Sequence, residues 1–151
     1  MKNNKGFSLV ELIIVIAIMA ILVGVMAPQL IKYIEKTNVS SDTQLCDSIK
    51  TAVTTAMMDP SVISATTNGI PANGTHAVSG FSGSSPFESA VEDILGFKLS
   101  TAESHLKSST QSGKANGMSI IIDGNAVHVT VAHSDTTGKK CKNGDNPIYV
   151  D

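Results

Sequence analysis

The sequence predicts an α+β chain. A long N-terminal α-helical spine, membrane-spanning in its first half and amphipathic in its second, packs against a small C-terminal antiparallel β-sheet, with a long loop and a short helix between. Three observations carry this. No charged side chain occurs over the twenty residues from Leu12 to Ile31. Apolar residues then recur at helical spacing at Leu45, Ile49, Val53 and Ala56. Finally, two apolar runs flank Asp123-Gly124-Asn125, the pattern of a β-hairpin.

Twenty helical residues rise about 30 Å, the thickness of a bilayer's hydrocarbon core. At the head of the run, in Lys5-Gly6-Phe7-Ser8-Leu9-Val10-Glu11, stands one carboxylate. An ionised acid near such a helix costs on the order of 2–3 kcal/mol in a membrane and calls for a partner outside the helix. Pro28 interrupts the backbone hydrogen-bond ladder and crowds the carbonyl of Gly24, so a kink or a locally unwound stretch is expected from Gly24 to Pro28. Beyond Ile31 the helix becomes amphipathic, weakens between Thr37 and Thr43, where poor helix formers cluster, and stops at Asp59-Pro60. A helix from Phe7 to Met58 is about 78 Å long, more than one small core can cover.

Residues 61–85 are rich in Ser, Thr, Gly, Asn and Ala and read as loop. Ser85 as cap, Pro86 in the first turn, Glu88 completing a capping box and Gly96 as terminator mark a short helix. Its apolar positions are Phe87, Ala90, Val91, Ile94 and Leu95. A weaker turn is expected near Ala102 to Lys107. In the hairpin, Val127, Val129 and Val131 are expected to face the spine, with His128, Thr130 and Ala132 outward. A third strand at Ile148-Tyr149-Val150 extends the sheet at an edge.

Formal charge is −2, from 11 basic and 13 acidic residues, and no arginine is present. Sequence-specific nucleic-acid reading and tight phosphate clamping lean on arginine, and are not expected; Lys139, Lys140 and Lys142 read as a solvated loop. No cofactor or metal is expected, because His76, His105, His128 and His133 lack ligand spacing. Gly80-Phe81-Ser82-Gly83 falls short of a nucleophile elbow, and Asp123-Gly124-Asn125 lacks the rest of a calcium loop. Catalysis is therefore not expected. Asn38-Val39-Ser40 and Asn73-Gly74-Thr75 match the glycosylation sequon, a motif short enough to arise by chance.

From Met1 to about Gln29 the chain closely resembles the type IV pilin family: a short basic leader ending in Lys5-Gly6, then Phe7, Ser-Leu-Val-Glu, and a long Ile/Val/Ala/Met helix. The resemblance implies a leader over residues 1–6, cut by a prepilin peptidase between Gly6 and Phe7 and followed by methylation of the new amine. It also implies a spine over residues 7–58, of which 7–31 form the membrane span and filament core, and a globular head over 59–151. Glu11 matches the family glutamate that meets the Phe7 amine of a neighbouring subunit, two costly charges becoming one buried pair that sets register. Phe7, Glu11, Gly24 and Pro28 are thus the expected assembly residues, and the helix near Pro28 is expected to melt as the fibre extends. The expected partners are the chain itself in a helical homopolymer, the peptidase and methylase, the membrane before assembly, and an assembly platform with its ATPase. The location implied is the cytoplasmic membrane, amino terminus inside, and afterwards an extracellular pilus serving adhesion, motility or uptake.

Other readings stand beside this one. A snorkelling charge on an ordinary single-span anchor explains Glu11 but not the Gly-Phe junction. A secretory signal cut after Val25-Met26-Ala27 is opposed by Glu11 in the apolar region, by the length of that region and by Pro28 directly after the cut. A pseudopilin of a secretion or DNA-uptake system shares leader and helix, and the tail Asn143-Gly144-Asp145-Asn146-Pro147 has a faint likeness to pseudopilin calcium sites. A conductive fibre is disfavoured, since only Phe7 and Tyr33 are aromatic along the spine. Cys46 and Cys141 are the only cysteines. Bridged, they close a long loop worth about 4–5 kcal/mol in the chain-entropy model; two thiols, with Cys46 buried on the helix, are the alternative.

Overall fold

The computed structural model describes residues 6–67, 69–107, 117–131 and 148–150. The expectations for Ala132, His133, Lys139, Lys140, Cys141, Lys142 and Asn143–Pro147 lie outside these residues, as does most of the leader. The architecture is α+β. Helix α1 runs from Leu9 to Met57, and the chain divides into two units, Met1–Ile34 and Glu35–Asp151.

The first unit is helical from Leu9 onward, and helical geometry continues through Gly24 and Pro28. The unwound form expected there is not the one seen; a missing N–H at one position leaves the neighbouring turns to hold the helix. The expected weakening between Thr37 and Thr43 does not occur either. In the second unit, Asp42 is buried and Val39 packs against the core. The Thr43 hydroxyl donates to the Val39 carbonyl at 2.9 Å. Tertiary burial outweighs the few tenths of a kcal/mol of propensity at each residue, and the Thr43 hydroxyl finds its acceptor within the helix.

Helix α1 closes with tightened bonds from the Met58 and Asp59 amides to the Thr55 and Ala56 carbonyls. Asp59, extended before its proline, then caps α2 (Pro60–Ile63). Its carboxylate accepts from the Ser61 hydroxyl at 2.6 Å and the Ser61 amide at 2.8 Å. These two bonds, the hydroxyl's first, hold its pKa below the ordinary carboxylate value.

The stretch read as loop contains a strand, β1 (Gly74–Ala77), followed by a 3-10 turn at Val78–Gly80. Gly-Thr-His-Ala shows no apolar alternation. Its strand geometry comes from pairing with β2 (Met118–Asp123), and from the Asn73 side chain, whose Oδ1 accepts from the Gly124 amide at 3.1 Å. Strand β2 turns through Gly124, at φ 60°, into β3 (Ala126–Val131), and β4 (Ile148–Val150) pairs with β3. The sheet is antiparallel in the order β1-β2-β3-β4. Ile120 lies opposite Val129 and Ile122 opposite Val127. All four are buried in one core with Ile49, Val53 and Ala56 of α1. Val131 is buried as expected, but so is Thr130, at 4 % exposure. It lies in register between Ser119 and Tyr149, with a strand on each side.

The short helix, α3 (Pro86–Leu95), has the anticipated ends. Ser85 and Glu88 exchange capping-box bonds, and Gly96, at φ 76°, donates to the Glu92 carbonyl. Phe87 and Val91 are buried, whereas Ile94 is 49 % exposed, against the inward placement its spacing suggested. The turn expected near Ala102 to Lys107 is a 3-10 helix over Leu99–His105. Replacing Ser85 by alanine is expected to destabilise the head by about 1 kcal/mol, since the Glu88 amide loses its acceptor; denaturant unfolding checks this.

Candidate assembly surface

Gly6 and Phe7 precede α1, and Phe7 is 91 % exposed. Ser8 takes the cap position, and its carbonyl accepts the Leu12 amide at 3.2 Å, opening the helical ladder. Glu11 stands in the first turn and reaches back, Oε2 accepting from the Ser8 amide at 2.9 Å. This is the acid's half of a capping box, at the end of the helix where the macrodipole favours negative charge. One hydrogen bond leaves most of a carboxylate's acceptor capacity open. The partner expected outside the helix thus has a place even though a backbone amide already helps to orient the group.

Around and above Glu11 the apolar side chains have no cover. Leu9, Leu12, Ile13, Ile16, Met19, Leu22, Met26 and Ile31 are all at least half exposed. Burying one such side chain is worth about 1.5–3 kcal/mol, so the surface stores a large driving force for leaving water. A Cβ added at Gly24 would meet no atom within 4 Å. Nothing among the described residues therefore requires glycine there; the small residue leaves room for something else against the helix one turn before Pro28. Among the described residues one helix, α1, is long and apolar enough to cross a membrane.

The structure keeps Glu11, Gly24 and Pro28 on one helix without bringing them together. Cys46 is buried on α1 in the core of the second unit, whereas Cys141 lies outside the described residues. Among the described residues no cluster of His, Cys, Asp and Glu is placed to hold a metal ion. His76 uses Nε2–H to donate to the Ala72 carbonyl at 2.7 Å, a structural bond beside β1.

Sequence reading missed three carboxylates that hold the head together by accepting backbone amides. Asp42, on α1, accepts from the Lys107 amide at 2.7 Å. Glu103 accepts from the Met118 amide at 3.0 Å. Glu88, visible only as a cap, also takes the Ser84 amide at 2.7 Å and the Ser82 amide at 3.3 Å. A signal existed for Glu88 alone, since the Asp42 and Glu103 partners lie 65 and 15 residues away.

Residues 1–27 match the family model described as the prokaryotic N-terminal methylation motif. A fimbrial protein of Moraxella nonliquefaciens is 44 % identical over 55 residues, 36 % of each chain. A fimbrial protein of Pseudomonas aeruginosa is 39 % identical over 59 residues, 39 % of this chain and 38 % of the relative. The match thus spans little more than a third of either fimbrial protein's length. Prepilin peptidase-dependent protein A of Clostridium perfringens is 34 % identical over 100 residues, 62 % of this chain and 71 % of the relative. No solved structure matches. With 34 % identity over 71 % of the clostridial protein and a methylation motif over its own first 27 residues, the chain belongs to the type IV pilin and pseudopilin family.

Proposed function

We propose that this chain is the structural subunit of a type IV pilus. It is held in the cytoplasmic membrane by α1, cut between Gly6 and Phe7, methylated on the Phe7 amine and polymerised through α1 into an extracellular filament. The observation that carries this reading is Glu11 set beneath an uncharged helical surface that stays exposed from Leu12 to Ile31. A membrane span alone accounts for the apolar surface. It gives that acid no countercharge, whereas polymerisation does: the cut creates an ammonium at Phe7, and a carboxylate of an adjacent subunit compensates it as both leave water.

The chain's part is mechanical, and it carries out no covalent chemistry. Peptidase and methylase act on it, and extrusion is powered by an assembly platform and its ATPase. The apolar half of α1 serves twice, first facing lipid and then facing the same surface of other subunits; both environments are dry, so the transfer costs little apolar burial. The head lies outside, and the fibre serves adhesion, motility or uptake.

Mass spectrometry of the mature amino terminus tests the processing step. The expected species begins at singly methylated Phe7, and a Gly6→Asp variant is expected to retain its leader and accumulate unassembled in the membrane. A mature chain beginning elsewhere, or a Gly6→Asp chain found in fibres, overturns the reading.

A further inference from the structure

Some apolar surface of the head stays open to solvent, Ile94 among it, while Leu95 and Phe97 beside it pack partly on the core. Between α1 and the end of α3 lies an open cleft of about 510 Å³, lined by Asp47, Ser48 and Thr51 on one wall and Ile94, Leu95 and Phe97 on the other. Asp47 is the only charged residue of this lining. Ile94 is half exposed, and the Phe97 ring is set by a tilted contact with His105 at 4.6 Å between centroids. Ser48 and Thr51 donate their hydroxyls to the Gln44 and Asp47 carbonyls, which leaves this wall with acceptors and one negative charge. Lys50 and Lys98 stand near the cleft in sequence without lining it. A carboxylate facing a half-exposed aliphatic and an aromatic ring suits a side-chain pair that is cationic at one point and aromatic at the next.

One such pair is exposed on α1 itself. Tyr33 is 71 % exposed, and Lys36, also exposed, follows it at the three-residue spacing that puts both on one helix face. Glu35, two positions from Tyr33, is not on that face. We propose that the cleft seats Tyr33 and Lys36 of a second copy of this chain, the Lys36 ammonium on the Asp47 carboxylate and the Tyr33 ring against Ile94 and Phe97.

The proposal rests on the filament reading and adds a contact at head level.

Charge exchange in the full-length chain tests it. Asp47→Lys and Lys36→Asp each set like charges face to face, and each is expected to lower the yield of sedimented fibres at least about fivefold. The membrane pool of cleaved subunit should remain unchanged in both. The double exchange is expected to recover parental yield to within about twofold, the coupling that a direct contact requires. Single variants that polymerise like the parent overturn the proposal, and so does a double variant no better than its worse single. Failure of the unaltered chain to form any fibre overturns the filament reading itself, a result separate from either of these.

Discussion

Glu11→Gln is expected to leave the precursor membrane-inserted and cleaved after Gly6 while lowering fibre yield at least about tenfold, equivalent to about 1.4 kcal/mol or more per assembly step. The glutamine is chosen because two roles of the acid coincide at one atom. Glu11 Oε2 accepts the Ser8 amide within its own helix, and a glutamine carboxamide can accept the same bond, losing only the modest charge assistance of an exposed cap. Only the charge is removed. If helix capping were the whole purpose of the residue, Glu11→Gln would assemble normally and Glu11→Ala alone would suffer. If the acid compensates a neighbour's Phe7 ammonium, both variants leave that cation buried and unpaired, and both fail. Removing one member of a buried pair is penalised by about 3–5 kcal/mol, well above the loss of an exposed cap. Fibre yield and subunit stagger, read by sedimentation and electron microscopy, separate the cases; Glu11→Gln fibres with parental yield and spacing would sink the ion-pair reading.

That experiment probes the part of the protein most legible in its sequence. A lone charge beside twenty uncharged residues is visible without any structure, because its cost does not depend on where the rest of the chain goes. Helix α3 and the hairpin are legible for a related reason: Ser85, Glu88 and Gly96 act on backbone groups within a turn of themselves, and Gly124 supplies the left-handed residue that its own turn needs. Strand β1 was not legible. Its pairing partner is more than forty residues away, and Gly-Thr-His-Ala carries no pattern of its own. The same distance hid the role of Asp42, a carboxylate on a helix that sequence places among solvated charges and the fold buries on the Lys107 amide. Helix continuity across Thr37–Thr43 likewise came from packing, which propensity does not record. Asp47, Ile94 and Phe97 are individually ordinary, and only the fold sets them across one cleft.

Phe87 and Ile94 show how much of this difference can be measured. Both lie on the apolar side of α3 by spacing, and the sequence gives no reason to rank them. In the fold Phe87 is 1 % exposed and meets Phe81 in a tilted ring contact at 6.1 Å, which in turn meets the His76 ring of β1 at 6.3 Å; Ile94 is 49 % exposed. Phe87→Ala removes a fully buried ring and the bridge between α3 and the edge strand, and is expected to cost about 3–5 kcal/mol. Against a typical domain stability of about 5–15 kcal/mol, that is enough to leave much of the head unfolded at elevated temperature. Ile94→Ala opens no cavity and is expected to stay within about 0.5 kcal/mol of the parent. Thermal protease resistance of the head, in full-length chain solubilised in detergent, reads both. The midpoint should fall by more than about 10 °C for Phe87→Ala and by less than about 3 °C for Ile94→Ala. Equal shifts would mean that α3 does not pack on the core through Phe87. A stable Ile94→Ala head that polymerises poorly would instead place the function of Ile94 outside its own subunit, where its exposure puts it.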